Sequence, residues 1–237
     1  AYMTVMMLED FILLDMEEGT AEKKIEHIKR YVITEDVVFE NITKDCSHLS
    51  LQGPQSNQLL AFKDKFMLIK HNDLRYDAIA SCEDIEMLRT SLKKENIPSA
   101  GFKAAEALQI ESGIPRHTID FDETIILAET GLDKTAASED KGCYPGQEVI
   151  ARINTYKGWT KKLMQLICET TDPLDPKNKI YSGSQETGWI TSASYSPKSD
   201  KTIALGYVKK GFFEEPGKEV LIEGGIEAVT KELKIVS

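Results

Sequence analysis

"GWITSASYSPKSDKTIALGYV", Gly188 to Val208, holds two apolar-rich runs, Gly188–Ser196 and Ile203–Val208, around a Ser-Pro-Lys-Ser-Asp cluster. Runs of this length, rich in β-branched and aromatic residues and broken by Pro, Ser and Asp, read as strands joined by a turn. The same pattern recurs from Lys161 onward in "LMQLICE", "KIYSG", "EVLIE" and "AVTKELKIV", with separators rich in Pro, Gly, Ser, Asp and Asn. Short strands at near-regular spacing predict a small β-barrel or sandwich, and the barrel is the fold expected here. It occupies residues 158–237, with the boundary near Lys157-Gly158.

Upstream the pattern is mixed. Val5–Leu8 and Phe11–Asp15 read as strands around Glu9-Asp10, and Thr20–Tyr31 has Ile25, Ile28 and Val32 at helical spacing. Val37–Asn41 and His48–Gln52 read as strands, and Gly53-Pro54 opens a helix over "PQSNQLLAF". Phe66–Lys70 and Tyr76–Ala80 read as strands, and Cys82–Glu95 and Gly101–Glu111 as helices. Strand pairs alternating with single helices predict an α+β domain over residues 1–157, with helices on one face of antiparallel sheet.

The net charge of −10 disfavours a nucleic-acid partner, since an acidic surface repels phosphate backbones. No apolar run is long enough to cross a bilayer, so no membrane role is expected. The N-terminus lacks the basic start and cleavage site of a secretory signal. Cys46, Cys82, Cys143 and Cys168 form no C-x-x-C pair, which speaks against a disulfide framework or a local zinc site. These features predict a reduced compartment: cytoplasm, or the mitochondrial matrix in a eukaryote.

"EDKGCYPGQEVIARI", Glu139 to Ile153, is the exceptional stretch. Gly142 and Gly146 allow a tight turn on either side of Cys143, Pro145 stiffens it, and Gln147–Ile153 reads as a helix. The helix N-terminus and Lys141 favour a thiolate at Cys143, while Glu139, Asp140 and Glu148 oppose it. Local chemistry alone favours a small packing thiol under the turn over a reactive one.

"KGCYPGQEVIAR" resembles the signature of the YgfZ-type folate-binding proteins, Lys-Gly-Cys-aromatic-x-Gly-Gln-Glu followed by Arg. These belong to the superfamily of the glycine-cleavage T-protein, an aminomethyltransferase. Lys141, Gly142, Cys143, Tyr144, Gly146, Gln147, Glu148 and Arg152 match. "IESGIPRHTIDFDETIILAETGL", "LQGPQSNQLL" and the opening barrel stretch resemble further family segments, so the resemblance covers nearly the whole chain. Two departures stand out. Gln109 takes a place where the family often has Arg, and no counterpart is found for the N-terminal segment that supplies an aspartate near the reacting end of the folate.

The resemblance implies a tetrahydrofolate site, or one for a one-carbon derivative. The pterin edge offers adjacent N–H donors, which a carboxylate accepts together, and Glu111 is the matching position. Phe121, Tyr144 and Tyr156 are candidate walls for the flat rings, and Arg116 and Arg152 candidate partners for the anionic tail. "HTIDFDET" lacks the Gly turn and terminal Glu of a calcium loop, so no metal site is expected. His27, His48, His71 and His117 are scattered, with no readable nucleophile–base pairing.

Three functions follow as expectations. The first is a tetrahydrofolate-binding protein supporting assembly or repair of iron–sulfur client enzymes, with Cys143 as its reactive thiol. The second is a folate-dependent aminomethyltransferase acting on a lipoyl carrier protein. The third is a folate-binding module without chemistry. The cysteine favours the first, because the T-protein pattern carries none there. Stable cluster binding by this chain is not expected, because no four-cysteine set is present.

Overall fold

A computed structural model describes residues 2–138, 141–156, 158–214 and 216–233. The chain divides into two compact units, residues 1–99 and 100–236.

The first unit begins with an antiparallel hairpin, β1 (Thr4–Met7) and β2 (Ile12–Asp15), followed by α1 (Ala21–Lys29). A three-stranded antiparallel sheet then forms from β3 (Ser47–Gln52), β4 (Met67–Asn72) and β5 (Arg75–Ala80), with β5 in the centre. α2 (Cys82–Lys94) starts where the Ser81 side chain accepts a hydrogen bond from the Asp84 N–H at 3.2 Å, satisfying one of the helix's orphan donors.

In α2, Ile85, Leu88 and Leu92 recur at helical spacing and bury one stripe against Leu51, Tyr76 and Ala78 of the sheet. The opposite face of the sheet packs Ile69 and Ile79 against Leu13 of the hairpin. Each fully buried leucine in such a core contributes roughly 1.5–3 kcal/mol.

Two expectations change here. Val37–Asn41 has no regular structure and Val38 is 88% exposed, because no neighbouring strand takes up its backbone hydrogen bonds. The segment after Gly53-Pro54 is a 3-10 helix, Ser56–Phe62, that buries Leu59.

The second unit starts with α3 (Phe102–Glu111), two one-turn helices, α4 (Leu127–Thr130) and α5 (Asp133–Ala136), and α6 (Gln147–Tyr156). Six strands follow: β6 (Lys161–Cys168), β7 (Lys179–Ser182), β8 (Gln185–Ser196), β9 (Lys201–Lys209), β10 (Glu219–Ile222) and β11 (Ile226–Glu232). They close into an antiparallel barrel in the order β10-β11-β6-β9-β8-β7. The α+β region followed by a small barrel is the architecture the sequence predicts. The boundary expected at residues 157/158 marks where barrel strands begin, whereas the compact division at 99/100 groups α3–α6 with the barrel.

Alternation along the barrel strands explains this grouping. Met164, Leu166 and Cys168 of β6 share a core cluster with Ala204 and Val208 of β9, while Leu163 joins a second cluster with Ile203, Leu205 and Tyr207. Ile110 of α3 belongs to this second cluster, so the helix covers the outer wall of the barrel. Thr202–Val208 is therefore buried on both faces, and the strand reads as an almost continuous apolar run. Gly206 leaves room for its neighbours: a Cβ there would lie 2.7 Å from the Trp189 carbonyl oxygen and 3.2 Å from Ile180 and Leu166 methyls. Among the described residues, no helix is long and apolar enough to cross a membrane.

Candidate functional site

The predicted site residues all fall in the second unit, in two groups. Glu111 ends α3, and its carboxylate accepts a hydrogen bond from the buried Ser196 hydroxyl at the end of β8. The last turn of α3 has carbonyls that no further helical N–H reaches. Gln165 of β6 satisfies two of them, donating to the Ile110 oxygen at 2.6 Å and the Glu111 oxygen at 3.2 Å. Glu111 is thus held at a fixed place against the barrel, half-buried.

The loop after α3 carries Arg116 and Phe121. The Arg116 guanidinium lies 5.5 Å from the centre of the Phe102 ring, and Phe121 packs edge-on to His117 at 5.4 Å. What fixes this loop is Asp120, 3% exposed. Its Oδ1 accepts hydrogen bonds from Thr191 Oγ1 at 2.5 Å and Ser192 Oγ at 2.7 Å, and its Oδ2 accepts the Arg116 N–H at 2.8 Å. Two consecutive strand residues would ordinarily point to opposite faces. Here β8 shifts register between Ile190 and Ser192, and the bulge lets Thr191 and Ser192 reach one carboxylate.

Buried charge continues beneath the loop. Glu129 of α4, 1% exposed, accepts a hydrogen bond from Thr160 at 2.9 Å. Lys161 Nζ lies 2.9 Å from its other oxygen, an ion pair without hydrogen-bond alignment. Burial, reinforced by the negative charges of Asp120, Glu129 and Asp122, raises the Tyr207 phenol well above its ordinary range. The Tyr207 hydroxyl has no hydrogen-bond partner among the described residues.

The second group lies on α6 and the turn before it. Gly146 has φ +91°, a conformation that favours glycine, and the Gln147 N–H bonds back to the Tyr144 carbonyl at 3.2 Å. The helix starts at Gln147, as the sequence predicts. Gly142 takes no such backbone conformation, and a Cβ there would meet open space, so its expected steric role is absent. Cys143 is exposed, unlike Cys168, which is buried inside the barrel and pushed up to about 12 by burial. Lys141 Nζ sits 4.6 Å from the centre of the Tyr144 ring. Arg152 and Tyr156, with Ile153 and Gly158, line an open hollow of about 640 Å³. Glu139, Asp140 and Lys157 lie outside the described residues.

The scattered histidines are not all isolated. In the first unit, His48 of β3 and His71 of β4 both reach Asp77 of β5, through Nε2 at 3.1 and 2.7 Å from Oδ2. Arg75 completes a fork on the same carboxylate at 3.0 and 3.3 Å, and Ser50 donates to it at 2.6 Å. The polar alternation His48, Ser50, Gln52 on β3 is a readable signal for this face; the irregular pairing after Lys70, which brings in His71, is not. Among the described residues, no group of three or more His, Cys, Asp or Glu side chains could hold a metal ion.

Comparison with known proteins places this geometry. Residues 161–234 match the family described as the glycine cleavage T-protein C-terminal barrel domain. The chain's fold is that of the glycine cleavage system aminomethyltransferase T from Bartonella henselae, with a TM-score of 0.79 and 18% identity over 99% of this chain and 71% of that one. Residues 161–234 are thus a barrel domain of the kind that ends the glycine cleavage T-protein. The chain is 29% identical over 86% of its length to "Putative transferase At1g60990, chloroplastic" of Arabidopsis thaliana. It is also 23% identical over 93% of its length to an aminomethyltransferase of Staphylococcus saprophyticus. It spans 52% of the first of these relatives and 67% of the second.

Proposed function

We propose that this chain belongs to a YgfZ-type tetrahydrofolate-binding protein that supports assembly or repair of iron–sulfur enzymes, with Cys143 as its reactive thiol. The observation that carries the reading is the exposure of Cys143 on a glycine-dependent turn just ahead of α6. A packing thiol at that point would be buried. The second reading is an aminomethyltransferase working with a lipoyl carrier protein. It draws on the similarity to the Staphylococcus saprophyticus enzyme, while the cysteine in the signature counts against it. A folate-binding module without chemistry is the reading left if Cys143 is inert.

The donor set suits a folate. Glu111 is half-buried and engages one hydroxyl, and a carboxylate has acceptor capacity for more than one donor. Glu111 would take the pterin N–H edge. Arg152 would face the anionic tail, with Tyr156 beside it on the same wall. Arg116, Phe121 and Tyr144 are further proposed contacts. Bound tetrahydrofolate would supply the one-carbon chemistry.

Isothermal titration with tetrahydrofolate tests the proposal. Glu111→Ala should weaken binding by about one to two decades, the equivalent of the ~1.5–3 kcal/mol typical of a charge-assisted hydrogen bond. Ser196→Ala, which removes only the hydroxyl that the carboxylate accepts from, should retain most of the affinity. Equal losses in both variants would make Glu111 a structural anchor. No binding by the unaltered, full-length protein would overturn the folate reading.

A further inference from the structure

The Asp77 cluster lies outside the proposed folate residues and is built unlike a simple ion pair. Asp77 is fully buried, while the His48, His71 and Arg75 side chains around it remain 39%, 25% and 32% exposed. His48 Nε2, His71 Nε2 and Arg75 Nη2 all lie within 3.1 Å of one oxygen, Oδ2, so no two of them can be more than about 6 Å apart. One buried carboxylate thus gathers three partly exposed, potentially cationic heads on the sheet face that also carries Ile69 and Ile79, in a chain whose net charge is −10.

Each head uses one edge on Asp77 and keeps another. Arg75 approaches through Nε and Nη2, which leaves the Nη1 edge of its guanidinium for a second fork. A histidine that donates through Nε2 presents Nδ1 on the far side of the ring, and in the imidazolium form Nδ1 is also a donor. Among the described residues, nothing engages these outer edges of His48, His71 or Arg75.

The charge balance points the same way. Burial alone would raise the Asp77 carboxyl, but hydrogen bonds from His48, His71 and Arg75, with the Arg75 charge, hold it far below the usual carboxylate range. The hydrogen bond to Asp77 raises His48 above the ordinary imidazole value, against burial. The charges of Asp77 and of Asp15 on β2 add to the rise, and Arg75 opposes it. Asp73, on the adjoining turn, is paired with Lys70 at 2.8 Å. With both imidazoles protonated, three positive charges face one negative charge.

We propose that His48, His71 and Arg75, oriented by buried Asp77, form a binding site for a compact oxyanion, the carboxylate or phosphate group of a small molecule. Asp77 is the positioning residue; the outer edges of the three cationic side chains make the contact. Binding strengthens as pH falls through the imidazole range, because each protonation adds both a charge and an Nδ1–H donor.

The probes are inorganic phosphate and glutarate, titrated into the protein at pH 6 while the histidine ring nitrogens are followed by long-range 1H–15N NMR. Saturable shifts of the His48 and His71 Nδ1 signals with either probe, absent with chloride at the same ionic strength, support the site; the probe that saturates first names the anion class. H48Q/H71Q keeps an amide N–H toward Asp77 and deletes both charges, and it should bind at least tenfold more weakly. In the unaltered protein, saturating anion should raise the titration midpoint of His48 further, a readout that stands even where the double variant fails to fold. Shifts equal to those with chloride, unchanged affinity in a folded double variant, or an unmoved His48 midpoint would each overturn the proposal.

Discussion

Asp120→Ala is the perturbation that tests how the loop carrying Arg116 and Phe121 is held. The substitution removes the acceptor of three donors, Thr191 Oγ1, Ser192 Oγ and the Arg116 N–H. Thr191 has an alternative, since its hydroxyl also lies 3.1 Å from the Leu205 carbonyl. Two donors are then left in a site where Asp120 itself is 3% exposed. At about 1.5–3 kcal/mol for each hydrogen bond to a charged group, the loss is about 3–6 kcal/mol. Asp120→Asn keeps one acceptor for the two hydroxyls but turns an amide N–H₂ toward the Arg116 N–H, so it should cost about half as much. Both tryptophans of the chain, Trp159 and Trp189, pack within the second unit. Their fluorescence during urea unfolding therefore reports this unit alone. With a slope of about 2 kcal/mol per molar urea, Asp120→Ala should lower the midpoint by about 1.5–3 M. A fall of less than about 0.5 M would refute the anchoring argument.

Three further outcomes are expected. The His48–Asp77 interaction stabilises the first unit fully below the ordinary imidazole value of 6.5 and is lost as pH rises through the raised value of folded His48, whereas the Asp77 contribution is present above its ordinary value of 3.8 and is lost only far below it. Amide exchange of β3–β5 should therefore be slowest between those limits, and His48→Gln should flatten the upper limb; an unchanged limb contradicts the linkage. In site-resolved alkylation, exposed Cys143 should react first and buried Cys168 last, with tetrahydrofolate slowing Cys143; labelling Cys82 first, or no effect of folate, would make Cys143 structural. Limited trypsinolysis tests the proposed boundary at 157/158: early cleavage at residues 157–162 or in 172–179 supports it, while first cuts between Lys93 and Lys103 would follow the compact division at 99/100 instead.

What the sequence disclosed was mostly local. Alternation and turn clusters located the barrel strands because each needs one face inward and a tight reversal at its end. The start of α6 followed from a Gly-containing turn before an amphipathic run. Contacts between distant residues were not readable. Asp120 meets Thr191 and Ser192 only because a bulge sits opposite it, and nothing near "HTIDFDET" announces acceptors facing a barrel strand. Val37–Asn41 shows the converse limit: β-branched composition without a partner strand makes no strand. The signature around Cys143 specified residue identity but not exposure, which the fold decides.

Closure of the barrel leaves every one of its six strands with two neighbours. Its backbone donors and acceptors are not available to template another chain. The first unit is built differently. β3 and β4 are the outer strands of an open three-stranded sheet, and the β1–β2 hairpin turns Val5, Met7 and Ile12 outward at 55%, 73% and 55% exposure. Colloidal behaviour should therefore be set by the first ninety-nine residues. Crowding or mild heating will recruit intermolecular β-structure through these open margins long before the barrel loosens, and acidic or lysine substitutions on the hairpin's outer face will do more for solubility than any change to the barrel.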